Sequence, residues 1–203
     1  MLFRVLVPLV ALCYITTGVS GEPRVAVAHL LGENITGSIF FNETDEGLRV
    51  SGVILGLGVG QYGFHIHELG DTATCYTTGA HYNPDDVNHG GRDHDVRHVG
   101  DLGNVEFIAL GPGVPVANVN FVDTLISLRG RNNILGRALV LHEQKDDLGL
   151  GGHETSLTTG NAGARVACGV VGIYSPNSPW NSARSVLGHV ARNILILILY
   201  RWY

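Results

Sequence analysis

The chain has 203 residues, 45% of them apolar and only 15% charged, so it can bury a sizeable core and is too apolar to stay unfolded. Its formal charge of −5 argues against nucleic acid as a partner, although a local positive site can still draw in a small anion. Twenty-eight glycines favour a turn-rich, all-β protein over a helical one.

Residues 1–20 read as a secretory signal: Arg4 precedes the apolar stretch Val5 to Val19, and Gly18 and Ser20 are small enough to flank cleavage before Gly21. A transmembrane anchor is the competing reading, but the stretch is short and interrupted by Pro8 and Thr16-Thr17. Beyond it, alternating or apolar runs occur at Arg24–Leu30, Ile35–Phe41, Leu48–Leu55, Gln61–Glu68, Asn104–Leu110, Val114–Phe121, Arg137–His142 and Arg165–Ile173, with turn residues between them. With no long helix before residue 180, these runs predict one domain over 21–174, an eight-stranded antiparallel Greek-key sandwich or flattened barrel. Asn34-Ile35-Thr36 and Asn42-Glu43-Thr44 are glycosylation acceptors near strand ends, though either triplet also arises by chance.

Seven ligand-type residues punctuate this pattern. His65 and His67 lie two apart on a predicted strand and so point to one face, roughly 6.5–7 Å from each other at the backbone. A lone His-x-His is more often a pair of half-exposed strand histidines, but this one has company. Between Cys75 and Asp101 the alternation gives way to Gly, Asn, Asp, Pro and His, the composition of a long ordered loop. Loops of that length are usually functional or disordered, and a metal is one way to hold one. His81, His89, His98 and Asp101 in this stretch suffice for a tetrahedral zinc site. His142 ends the apolar run Ala138-Leu139-Val140-Leu141. Six imidazoles and a carboxylate are donors that suit copper and zinc far better than magnesium or calcium.

Gly63-Phe64-His65-Ile66-His67-Glu68, His81-Tyr82-Asn83-Pro84, His89-Gly90-Gly91, Arg97-His98-Val99-Gly100-Asp101-Leu102-Gly103-Asn104, Leu141-His142-Glu143, Asp146-Asp147-Leu148-Gly149, Gly160-Asn161-Ala162-Gly163 and Arg165-Val166-Ala167-Cys168-Gly169-Val170 together resemble copper/zinc superoxide dismutase, over about Arg24 to Ile173. The resemblance implies that His65, His67, His81 and His142 bind copper, that His81, His89, His98 and Asp101 bind zinc, and that His81 bridges both ions as a fully deprotonated ring. It also implies that Asp146 orients a ligand histidine of each metal and that Arg165 guides the anion. The implied reaction converts superoxide to dioxygen and hydrogen peroxide by alternate reduction and reoxidation of copper, with His81 taking up and delivering a proton. With Cys13 leaving in the signal, Cys75 and Cys168 match the family's intrachain disulfide; two free thiols would be less expected in an oxidising compartment.

One segment departs from the family pattern. In Gly151-Gly152-His153-Glu154-Thr155-Ser156-Leu157-Thr158-Thr159-Gly160 the family usually carries acids and a lysine that shape the field over the channel, whereas this chain has Thr155 and Thr158, and its single lysine is Lys145. Weaker electrostatic guidance is expected. Residues 175–203 read as a linker, Ser175-Pro176-Asn177-Ser178-Pro179, followed by a basic, apolar tail. There Leu187, Val190, Ala191, Ile194, Leu195 and Ile198 fall at helical spacing and suit contact with a partner or a membrane surface. A poorly ordered extension is the plainer alternative. The expected protein is an extracellular, homodimeric enzyme; the rival is a non-catalytic metal-binding or copper-delivery domain on the same scaffold.

Overall fold

Nine antiparallel strands make up the architecture, seen in a computed structural model that describes residues 23–109, 111–176 and 180. The proposed signal segment and the helical spacing in the tail lie outside the described residues. The strands are β1 (Val25–Gly32), β2 (Thr36–Thr44), β3 (Gly47–Leu55), β4 (Gly60–His67), β5 (Asp101–Ile108), β6 (Val116–Asp123), β7 (Ala138–His142), β8 (Arg165–Val170) and β9 (Gly172–Ser175). Their order is β2-β3-β6-β5-β4-β7-β8-β1-β9, and an additional β1–β2 pairing closes the sheet into a barrel. Because β3 pairs with β6 and β4 lies between β5 and β7, two connections cross the barrel ends in Greek-key fashion.

Each expected run contains a strand, with shifted ends. The last run becomes two strands, because the chain breaks at Val171, whose backbone exchanges hydrogen bonds with Gly136 and Arg137 instead of continuing the β8 ladder. β9 then pairs with β1, Ala26 opposite Ile173, so Ser175 ends a strand where a linker was expected to begin.

The core follows from alternation. On β1, Ala26, Ala28 and Leu30 are wholly buried while the residues between them are not. β4 differs: Phe64 and Ile66 enter the core, and His65 and His67 on the opposite face are also at 0% exposure, because the long loops between β4 and β5 and between β7 and β8 cover them. A second, small apolar cluster forms on the outer side of β7 and β8 from Ala138, Val140 and Cys168, with Cys75 packed against it. There Cys75 and Cys168 form a disulfide across a sequence separation of 93, with their Cα atoms 5.6 Å apart. The bond pins a 3-10 turn, Cys75–Thr78, to the barrel wall.

Closing a loop of that length should stabilise the fold by about 4–5 kcal/mol on the chain-entropy estimate. Cys168→Ser is therefore expected to lose that amount in equilibrium denaturation of the metal-loaded protein; an unchanged midpoint and slope would show that the metals alone hold the loop.

Candidate metal centre

The outer face of β4 is where the imidazoles gather. His142 at the end of β7 and His81, which forms an isolated bridge with His67, complete a set with His65 and His67 in which one donor atom from each lies within 4.8 Å of the others. A second set, His81, His89, His98 and Asp101, meets the same limit, and His81 belongs to both. All seven residues are buried. The centre therefore lies outside the barrel, where three of the four residues in the first set stand on strands and only His81 comes from a loop.

The hydrogen bonds assign the ring protons. His67 Nδ1 donates to Gly79 O at 2.9 Å and His142 Nδ1 to Gly163 O at 3.2 Å, so both Nε2 atoms carry bare lone pairs, only 3.3 Å apart. His65 Nε2 donates to Asp146 Oδ2 at 2.9 Å, which leaves Nδ1 bare, and both His65 Nδ1 and His81 Nε2 are buried without any hydrogen-bond partner. Buried lone pairs turned toward one another repel and forgo hydrogen bonding, a cost that a cation between them removes. Four nitrogens so arranged fit copper.

The second set is centred on a carboxylate. Asp101 Oδ1 lies 2.9 Å from His81 Nδ1 and 3.1 Å from His98 Nδ1. Asp101 Oδ2 is 2.9 Å from His89 Nδ1, without the alignment of a hydrogen bond, so that nitrogen too is unpartnered. Such separations approach the roughly 3.3 Å edges of a tetrahedron with zinc–ligand arms of about 2.0 Å. Asp146 joins the two sets by accepting from His65 Nε2 and, on its other oxygen, from His89 Nε2 at 2.8 Å. Its backbone is held in turn by the Asn104 side chain, which bonds both its N–H and its C=O. Gly160 has φ +65°, and a Cβ there would run into the Asp146 carboxylate and the His89 ring, so the helical turn Ser156–Thr159 ends on the one residue that fits.

Burial and the neighbouring imidazoles push His81 down to about 3 and His142 to about 2, and hold His67 far below the ordinary histidine range. Burial disfavours ionised Asp101 and Asp146, but hydrogen bonds from the histidines prevail and keep both carboxyls well below their ordinary values. Burial likewise opposes charge on His89, yet the Asp101 and Asp146 carboxylates outweigh it and lift His89 to about 9.

Arg165 opens β8 directly across from His142. Its Nη1 donates to Cys75 O, Tyr76 O and Thr78 Oγ1 at 3.1, 3.2 and 2.9 Å, and its charge is among the influences that depress His67 and His142. Thr155 is half-buried and Thr158 exposed on the turn beyond it. Asn34 is exposed in the turn after β1, while Asn42 is half-buried within β2. Several residues of the site escaped the sequence reading: Asn104, Thr78, and the buried ion pair Arg97–Asp123, whose guanidinium also bonds the carbonyls of His98, Val99 and Asp101. Arg97 and Asn104 fall inside a quoted motif, which was their only signal.

A β-barrel that carries two buried donor sets sharing one imidazole, one set suited to copper and the other to zinc, is a binuclear metalloprotein. The chain belongs to the copper/zinc superoxide dismutase family, whose sequence model matches residues 35–171. It is 49% identical over 160 residues to an extracellular superoxide dismutase (Cu-Zn) of Drosophila melanogaster, covering 74% of this chain and 86% of that one. It is 52% identical over 149 residues to superoxide dismutase (Cu-Zn) 4 of Dictyostelium discoideum, covering 72% and 96% respectively. A crystal structure of the clock protein EA4 superposes with a TM-score of 0.71 at 47% identity, over 76% of this chain and 97% of that one. Copper and zinc are the metals of this family, and the donor sets fit them.

Zinc requires neutral imidazoles, whereas His89 in the metal-free protein is still protonated at pH 7, two units below its pKa of about 9. Zinc binding should therefore release about one proton at pH 7, and this release should fade as the pH passes 9. Titration calorimetry in buffers of different ionisation heat reads that number; no release at pH 7 would contradict the assignment of His89.

Proposed function

We propose that this protein is an extracellular copper/zinc superoxide dismutase with His65, His67, His81 and His142 as copper ligands and His81, His89, His98 and Asp101 as zinc ligands. The observation that carries the reading is the convergence of bare ring nitrogens beside Arg165. Bound copper supplies one-electron oxidation and reduction in turn, by which two superoxide ions and two protons become dioxygen and hydrogen peroxide.

The chain's own residues bind, orient and shuttle. Arg165 keeps its charge at any relevant pH and attracts the anion to the face of the site nearest His142. His81 Nε2, buried and without a protein partner, is the atom that takes up a proton and passes it to the second superoxide. Asp101 Oδ1 and His81 Nδ1 lie 2.9 Å apart as neighbouring donors, so zinc held by both would keep the His81 ring in place, and Asp146 fixes the tautomers of His65 and His89. An arginine held opposite His142 serves catalysis and has no evident use in copper delivery, which favours the enzyme over the rival reading.

Secretion is supported by the amino-terminal pattern, the disulfide, and the extracellular relative. Exposed Asn34 is the better glycan acceptor of the two; Asn42 is the second. A homodimer is supported by an apolar surface on which Val170, Ile173 and Leu69 are 39%, 58% and 51% exposed. Leu69 adjoins this surface because Gly70 packs against Val170. Trp180 lies close by in sequence, its ring and carbonyl against the Arg24 guanidinium.

His142→Ala should lose copper, keep zinc and show no superoxide decay above background, whereas Arg165→Ala should keep both metals and lose kcat/KM about tenfold or more. Copper bound by the parent without turnover would favour the delivery reading. With Thr155 and Thr158 at the channel turn, kcat/KM should fall less steeply with ionic strength than in a family member carrying the lysine; an equally steep fall would contradict the weaker guidance.

A further inference from the structure

The guiding arginine is held by more than backbone. Thr78 closes the 3-10 turn beside the disulfide, and its side chain is fully buried. Its hydroxyl has three neighbours: Arg165 Nη1 donates to Oγ1 at 2.9 Å, Oγ1 donates to Cys75 O at 2.8 Å, and His67 Nδ1 lies 3.2 Å away. A hydroxyl offers one proton and two lone pairs. With its proton committed to Cys75 O, both lone pairs remain to accept, one from the guanidinium and one from the imidazole, whose Nδ1–H is shared with Gly79 O. Every bonding capacity of this hydroxyl is therefore used, and rotating it would break at least one of the three contacts.

We propose that Thr78 is a positioning residue for the superoxide reaction: its buried hydroxyl ties the Arg165 guanidinium to the copper ligand His67, so that anion guide and metal are set at a fixed offset. The tie is local and specific. Among the described residues, Nη1 is the only guanidinium nitrogen of Arg165 with a protein partner, so the other two nitrogens remain available to the anion while Nη1 anchors the group. Its two backbone acceptors, Cys75 O and Tyr76 O, belong to the same turn but, among the described residues, form no hydrogen bond with a copper-ligand histidine. Thr78 is the link that does. Neither neighbour could substitute, since Thr77 spends its hydroxyl on Asp71 O and Thr74 O and Gly79 has none.

This inference rests on the reading of Arg165 as an anion guide beside copper, and the test separates the two. Azide binding to the copper- and zinc-loaded protein, followed through the visible spectrum of the copper, measures anion capture without any superoxide chemistry. Thr78→Val, nearly equal in shape, should weaken azide binding about tenfold, the scale of losing one hydrogen bond to a charged group, while Thr78→Ser should stay within about twofold of the parent. In an Arg165→Ala background, Thr78→Val should add less than about twofold, because the hydroxyl acts through the arginine. Thr78→Ala repeats the measurement should valine disturb the turn.

Azide affinity unchanged in both Thr78→Val and Thr78→Ala, or an equal loss with Arg165 absent, would overturn the proposal. So would loss of copper from both variants, since that would make Thr78 a support for His67 alone. If Arg165→Ala itself leaves azide affinity unaltered, the reading of Arg165 fails first.

Discussion

A strand buried on both faces, one apolar and one polar, is the constraint on which this structure turns. β4 sends Phe64 and Ile66 into the barrel and His65 and His67 away from it, and both pairs are at 0% exposure. The inward pair is stabilised by transfer from water. The outward pair is not, because a buried imidazole must have each ring nitrogen partnered or suffer the cost of desolvation. One nitrogen of each finds protein, Asp146 for His65 and Gly79 for His67. The other nitrogen is left for an ion, so the metals are part of how this face satisfies itself, and their binding energy is partly folding energy.

The covers over that face need their own support, and they draw it from charge as well as from the disulfide. Arg97 and Asp123 pair at 2.7 Å with side chains only 3% and 0% exposed. Breaking such a pair is far more costly than never having built it, since the survivor is left charged and unpaired. Arg97 spends its other bonds on the carbonyls of His98, Val99 and Asp101, and Asp123 spends its own on the backbone of Leu125 and Ile126. The turn that presents His98 and Asp101 is thereby fastened to the end of β6. Asp146, held by Asn104 from β5, does the corresponding job between the two ligand sets.

How much of this was legible in sequence depended on whether a feature repeats. Alternation repeats every two residues, so all eight expected runs contain strands, and even the His65/His67 geometry follows from the same period. The break at Val171 left no such trace: its apolar neighbours read as one run, and only the backbone bonds to Gly136 and Arg137, distant in sequence, divide it. The histidines and Asp101 stood out because ligand types are rare and were spaced within ordered motifs. Thr78 did not, since a threonine in a polar loop is unremarkable until the loop folds against Arg165, 87 residues further on.

Net charge and local charge pull in opposite directions here, and distance decides between them. The chain as a whole carries −5 and repels an anion far away, but at physiological salt exposed charges are screened beyond about 8 Å. Within that range the relevant charges are those around the outer face of β4. Asp101 and Asp146 are buried and engaged by histidines, so their charge is largely neutralised once the metals are in place. Arg165, partly buried and among the described residues hydrogen-bonded through Nη1 alone, is a cation placed to be felt there. On the proposed role of Arg165, a channel with Thr155 and Thr158 at its turn would capture its anion at short range, where the orientation of one guanidinium matters more than the field of the whole molecule.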